Sequence, residues 1–265
     1  MPINKSDLKM ALSLFQIEDG QTQLSGKMNM VFSSITAEAS KTKKSEMLYL
    51  ERFIKYLTQD FWNIYTILHR LDWQRLLWQD DKLQDIIWIT YAQTDINQFH
   101  VELKSAMDYI ARIIRGLPPN PWQSPGSFND LLNWIQKEYN KVKIDPQILK
   151  ILQNSNWFID IRDLRDLTVH EGGFSLVFGS KGKITFQTYK GWQEQVNIPE
   201  IMFNENIVDF ELYAGMYLGY LLALYENLSQ EISRLIKFHD KPLGAYTIHF
   251  GLEYVRNLIQ KVYAL

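Results

Sequence analysis

The residues most able to do chemistry lie in one stretch, from Ile161 to Gly173, which reads IRDLRDLTVHEGG. It contains one of only five histidines in the chain, set behind two arginines and an aspartate. At about 100° of rotation per helical residue, with Arg162 at zero, Asp166 falls near 40°, His170 near 80° and Arg165 near 300°. Ile161, Leu164 and Leu167 fall on the opposite side. The pattern predicts a helix with an apolar face toward a core and a polar face of Arg162, Arg165, Asp166 and His170. Gly172 stands where a left-handed C-terminal cap belongs, so His170 lies in the last turn, at the end of the helix that favours cations. An imidazole beside two guanidiniums is a phosphate-binding arrangement. Asp166, four residues before His170, is placed to orient the ring.

The elements around this stretch are read from hydrophobic periodicity. Ser6 and Asp7 look like a helix cap, with Leu8, Leu12 and Phe15 following on one face. Gly20 to Lys27 reads as a loop. Lys44 to Arg75 is a long helix with Leu50, Phe53, Ile54, Leu57, Phe61, Ile64 and Leu68 on its inner face. A second long helix runs from about Leu83 to Ile114 and is stopped by Gly116 and Pro118-Pro119. Ser127 caps a short helix, Asp145-Pro146 opens another, and Asn154-Ser155 precede the helix ending at His170. The period then changes to two: Phe174, Leu176 and Phe178, then Ile184, Phe186 and Thr188 across the turn GSKG, read as a β-hairpin. A long helix from about Val208 to Phe238 and a short one from Leu252 to Tyr263 complete the chain. The expected fold is mainly α, an up-down helical bundle with a small β-hairpin insert after the motif helix. Residues 1–265 form one domain, with 1–43 as an N-terminal helical arm and 173–198 as the insert.

Composition narrows the function classes. With 46% hydrophobic residues among 265, the chain can bury a substantial core. A formal net charge of −2 argues against a basic coat spread over the whole surface, so any nucleic-acid contact must come from a local patch. The absence of cysteine removes disulfides, thiolate zinc sites and a cysteine nucleophile. The N-terminus lacks a secretory apolar core, and the longest apolar run, Met216 to Tyr225, is too short for a bilayer core of about 30 Å. A cytoplasmic protein with no membrane contact is expected. No histidine has a glutamate three residues before it and there is no HExxH, so neither a metal nor a cofactor is expected. GSKGKIT opens a strand and lacks phosphate-loop spacing. His100, Lys104 and Asp108 share a helix face and read as a satisfied polar stripe. The tryptophans fall mostly at core spacing.

Arg165-Asp166-Leu167-Thr168-Val169-His170 resembles the Arg-polar-x-x-x-His motif of the HEPN superfamily (higher eukaryotes and prokaryotes nucleotide-binding). The order of elements is also similar to that superfamily, and FHVELKSAMDYIARII, Phe99 to Ile114, resembles the helix that faces its motif helix. The resemblance covers roughly Leu50 to His239. A second Arg-to-His spacing, Arg234 to His239, fits less well because the residue after the arginine is the apolar Leu235. Some HEPN toxins carry a tyrosine two residues past the histidine; here that position is Gly172. The resemblance implies a metal-independent endoribonuclease that works as a homodimer, of a toxin–antitoxin or defence type, with RNA as substrate, an antitoxin or other regulatory protein as partner, and a 2′,3′-cyclic phosphate product. In it His170 is general base or acid, Arg165 binds the scissile phosphate, Asp166 orients His170, Arg162 is a second phosphate contact, and Asp108 approaches from the neighbouring helix. The alternative expectation is a non-catalytic bundle that binds a protein or a nucleotide.

Overall fold

The computed structural model describes residues 3–18, 20–119, 121–170, 177, 182–187, 198–204, 207–238 and 252–265. It is mainly helical with small antiparallel sheets. Among the described residues no helix is long and apolar enough to cross a membrane.

Two long antiparallel helices form the scaffold, α3 (Ser45–Gln79) and α4 (Asp85–Arg115). Helix α3 buries Leu50, Phe53, Ile54, Leu57, Phe61, Ile64, Leu68 and Leu71 along one stripe, the three-and-four spacing that sets an amphipathic helix. Their pairing is fixed by polar and aromatic contacts as well as by oil. Arg70 Nε and Gln74 Nε2 each donate to Asp95 Oδ2 at 2.8 Å. Asn63 Nδ2 donates to Glu102 Oε2 at 3.0 Å, and Trp78 stacks on Trp88 at 4.3 Å near the turn between them.

The third long helix, α9 (Phe210–Leu235), is buried on nearly every side, as expected of a helix surrounded by other elements. Helices α1 (Lys5–Ser13), α2 (Lys27–Thr42), α7 (Pro146–Gln153) and α10 (Leu252–Tyr263) pack against it. Two glycines permit the closest approaches. A Cβ at Gly215 would sit 2.3 Å from the Leu258 carbonyl oxygen of α10, and one at Gly219 would sit 2.4 Å from Leu8 Cδ2 of α1.

The N-terminal segment is folded against this core rather than extended from it. The Asn4 N–H donates to Tyr220 Oη at 2.8 Å and the Met28 N–H to Glu226 Oε2 at 3.3 Å. Between α1 and α2 lies an antiparallel hairpin, β1 (Phe15–Glu18) with β2 (Gln21–Leu24), turning at Gly20 with φ +75°. The loop expected from Gly20 onward therefore includes a strand, and Phe15 belongs to β1, not to the face of α1. Four-residue strands with few apolar residues carry too little alternation to stand out in the sequence.

Short helices α5 (Phe128–Trp134) and α6 (Glu138–Lys141) follow α4. Ser127 caps α5 and Asp145 caps α7 through their side chains, as expected. The motif helix, α8 (Phe158–His170), packs on α4. Three further strands, β3 (Thr185–Gln187), β4 (Met202–Asn204) and β5 (Ile207–Asp209), form a sheet in the order β3-β5-β4. Val177 bridges antiparallel to Phe186 across the expected hairpin. Phe174, Leu176, Phe178 and Thr188 of that hairpin, the cap position Gly172 and the alternative His239 lie outside the described residues. Strands β4 and β5 directly before α9 were not expected; the apolar period of α9 runs into Val208 and hides the boundary.

Candidate functional site

Helix α8 is rooted in the core at its N-terminal end and exposed at its C-terminal end. Phe158, Ile161 and Leu164 are buried, and Phe158 meets Phe128 of α5 edge-on at 5.0 Å. Asp160 is also buried, and accepts a hydrogen bond from the Tyr217 hydroxyl at 3.0 Å. Burial pushes its carboxyl up to about 6, against the opposing effect of the Tyr217 hydrogen bond. Val169 and His170, at the other end, are exposed.

The structure brings Arg165, Asp166 and His170 together. Arg165 Nη1 lies 3.0 Å from His170 Nε2 and donates to Asp166 Oδ1 at 2.9 Å. A guanidinium only donates, so a hydrogen bond between the two uses the Nε2 lone pair as acceptor. The guanidinium, not the carboxylate, is therefore the ring's immediate partner, and Asp166 orients His170 only through Arg165. Arg165 Nε is buried and has no hydrogen-bond partner among the described residues.

Arg162 and Asp108 are placed differently. Arg162 donates through Nε to Asp163 Oδ1 at 2.7 Å and through Nη1 to Asn129 Oδ1 at 2.5 Å, while its Nη2 also contacts Asp163. It ties α8 to α5. Asp108 accepts from Lys104 Nζ at 2.5 Å and from the Phe128 N–H at 3.0 Å, where it holds the first turn of α5. Both side chains converge on α5 rather than on His170. His100, two turns before Asp108 on α4, is fully buried. Its Nδ1 contacts the Ile96 carbonyl at 2.8 Å and its Nε2 the Tyr213 hydroxyl at 2.9 Å. Burial lowers this imidazole to about 4, so it is a neutral core contact and not a ligand.

Two arginines that the sequence reading passed over, Arg112 and Arg115 in the last turn of α4, stand beside the segment that leads into α5. A Cβ at Gly126 would be 3.5 Å from Arg112 Cγ and 3.6 Å from Arg115 Nη1. The available signal was the absence of any charged residue from Gly116 to Asn129. Elsewhere, a polar cleft of about 250 Å³, lined by residues that include Asn4, Gln147, Asn154, Asn227 and Gln230, opens near the N-terminal end of α8, away from His170. Among the described residues no group of three or more His, Asp or Glu side chains is placed to hold a metal ion. No family model matches the chain, and neither a curated protein nor a solved structure matches it.

Proposed function

We propose that the exposed end of α8 is the reactive centre of a metal-independent endoribonuclease of HEPN type, acting on single-stranded RNA as a homodimer. The observation that carries this reading is the contact of Arg165 Nη1 with His170 Nε2, 3.0 Å apart at a solvent-facing helix end. A guanidinium and a neutral imidazole in contact supply two of the groups that transesterification of RNA needs. Once the Arg165 guanidinium turns from Nε2 onto the phosphate, His170 takes the proton of the ribose 2′-hydroxyl at Nε2, and the 2′ oxygen attacks the adjacent phosphorus. The bond to the 5′ oxygen breaks, and that oxygen leaves with a proton supplied by the same histidine of a second copy. Arg165 holds the phosphate oxygens through its Nη groups as charge develops. Asp166 keeps the guanidinium in place. The product is a 2′,3′-cyclic phosphate. A regulatory partner such as an antitoxin fits a nuclease whose reactive end is open to solvent.

The test is incubation of the purified protein with labelled single-stranded RNA in the presence of EDTA. Cleavage with a cyclic phosphate end is expected, and His170→Ala abolishes it. Equal cleavage by the variant, or none by either protein at any concentration, overturns the reading. The second reading, a non-catalytic module that binds a protein or a nucleotide, is favoured by the engagement of Arg162 and Asp108 in contacts that hold α5.

A further inference from the structure

We propose that the end of the α3–α4 hairpin carrying Tyr49, Tyr56, Arg112, Arg115 and Trp122 binds a single strand of nucleic acid, with bases stacked on the exposed rings and phosphates held by the arginines. The aromatic part is continuous. Tyr49 meets Trp122 edge-on at 4.4 Å and Phe53 at 4.7 Å, and Tyr56 meets Tyr109 at 5.3 Å. Trp122 and Tyr56 keep 43% and 46% of their surface exposed, enough to offer a ring face. The Arg112 guanidinium lies 5.2 Å above the Phe53 ring.

Among the described residues no carboxylate is paired with Arg112 or Arg115. Asp108, one turn before Arg112, is engaged by Lys104 and by the Phe128 N–H. The loop that follows Arg115 carries no charge as far as Asn129. Arg115 Nε is buried without a hydrogen-bond partner among the described residues. Burial pushes the Tyr49 phenol up while Arg115 and Arg112 pull it down, which places both positive charges beside that ring. Exposed Lys43, Lys44 and Arg52 lie at the same end of the hairpin. Glu46 and Glu51, the latter paired with Lys55, lie at this end too, and the cations outnumber them in a chain of net charge −2.

Trp122 is held in an unusual backbone state. Its φ is +73°, a left-handed conformation that a bulky residue adopts only under constraint. Its N–H donates to the Arg115 carbonyl at 2.7 Å, so the ring is fixed over the end of α4. Rings with free faces beside arginines suit unstacked bases and their phosphates. A duplex hides its base faces, and an acidic peptide leaves the rings unused. This surface is separate from the Arg165–His170 pair and does not depend on catalysis there.

The test is fluorescence anisotropy with short fluorescein-labelled oligouridylate, oligothymidylate and a DNA duplex, at about 50 and 200 mM salt. Both single strands are expected to bind better than the duplex. Equal affinity for the two reads the shared backbone and base chemistry, and preference for oligouridylate reads the 2′-hydroxyl. Trp122→Gly lowers affinity about tenfold, while its melting temperature holds or rises because glycine tolerates the positive φ. The double variant Arg112→Gln, Arg115→Gln weakens binding and reduces the slope of log K against log salt by about 1.4. The proposal is overturned if neither strand binds at low salt, if Trp122→Gly binds as wild type, if the duplex binds equally, or if polyglutamate competes as well as oligothymidylate. His170→Ala leaves this binding intact, so a protein that binds but does not cleave removes the nuclease reading alone.

Discussion

Replacing Asp160 with asparagine tests the electrostatic account of how the motif helix is rooted. Asp160 is 6% exposed, and the Tyr217 hydroxyl donates to its carboxyl group. Burial raises the carboxyl from its ordinary 3.8 to about 6. Between those values the folded chain keeps a proton that the unfolded chain has released. Stability therefore falls as pH rises through this window, and the loss is complete by about pH 7. At about 1.36 kcal/mol for each tenfold change in proton affinity, the cost is on the order of 3 kcal/mol. Asparagine is neutral throughout and retains an oxygen to accept from Tyr217. Its extra buried N–H groups offset part of the gain. Asp160→Asn should match wild type near pH 4 and exceed it by roughly 1–3 kcal/mol at pH 7. Urea unfolding at several pH values measures the difference. Asp60, raised to about 6 mainly by burial, changes stability in the same direction, and the lowered His100 in the opposite one. Both are common to the two proteins, so the variant minus wild-type difference isolates Asp160. A difference that does not vary with pH, or a variant less stable than wild type at pH 7, would refute the reasoning.

Further outcomes follow from the same contacts. Arg165→Lys removes the planar fork that meets both Asp166 and His170, and should reduce RNA cleavage on the order of a hundredfold with an unchanged melting temperature. Gly215→Ala drives a methyl group into the Leu258 backbone, and should cost about 1–3 kcal/mol in urea unfolding because a carbonyl cannot turn aside as a side chain can. Asp108→Ala leaves the Phe128 N–H without its acceptor, and should lower the melting temperature by about 2–4 °C. Its RNA cleavage should stay near wild type, since Asp108 does not touch His170.

Periodicity made the long helices legible. The stripes of α3 and α4 repeat over many turns, and Gly116 with the prolines marks the end of α4 clearly. Caps placed the starts of α5 and α7, since Ser127 and Asp145 accept from backbone N–H groups of the first turn. The short strands were not legible. Residues Met202 to Asp209 owe their pairing to partners far along the chain, in β3. At the candidate site, the helical wheel put Arg162, Arg165, Asp166 and His170 on one face, and the last three are in contact. It could not tell which of two neighbours the imidazole would meet, because that depends on side-chain reach. Nor could it show that Arg162 and Asp108 would be drawn to α5, since α5 enters between them from a separate stretch of sequence. The Arg112–Arg115–Trp122 surface was missed for the same reason: its members look ordinary until a loop folds back over a helix end.

The four residues from Gly126 to Asn129 form a short strap, at most about 10 Å long between its ends. At one end it lies against Arg112 and Arg115, at its centre it is gripped by Asp108, and at the other end it is tied to Arg162 on the motif helix. One short segment of chain thus joins the helix end bearing the two arginines to the helix bearing His170.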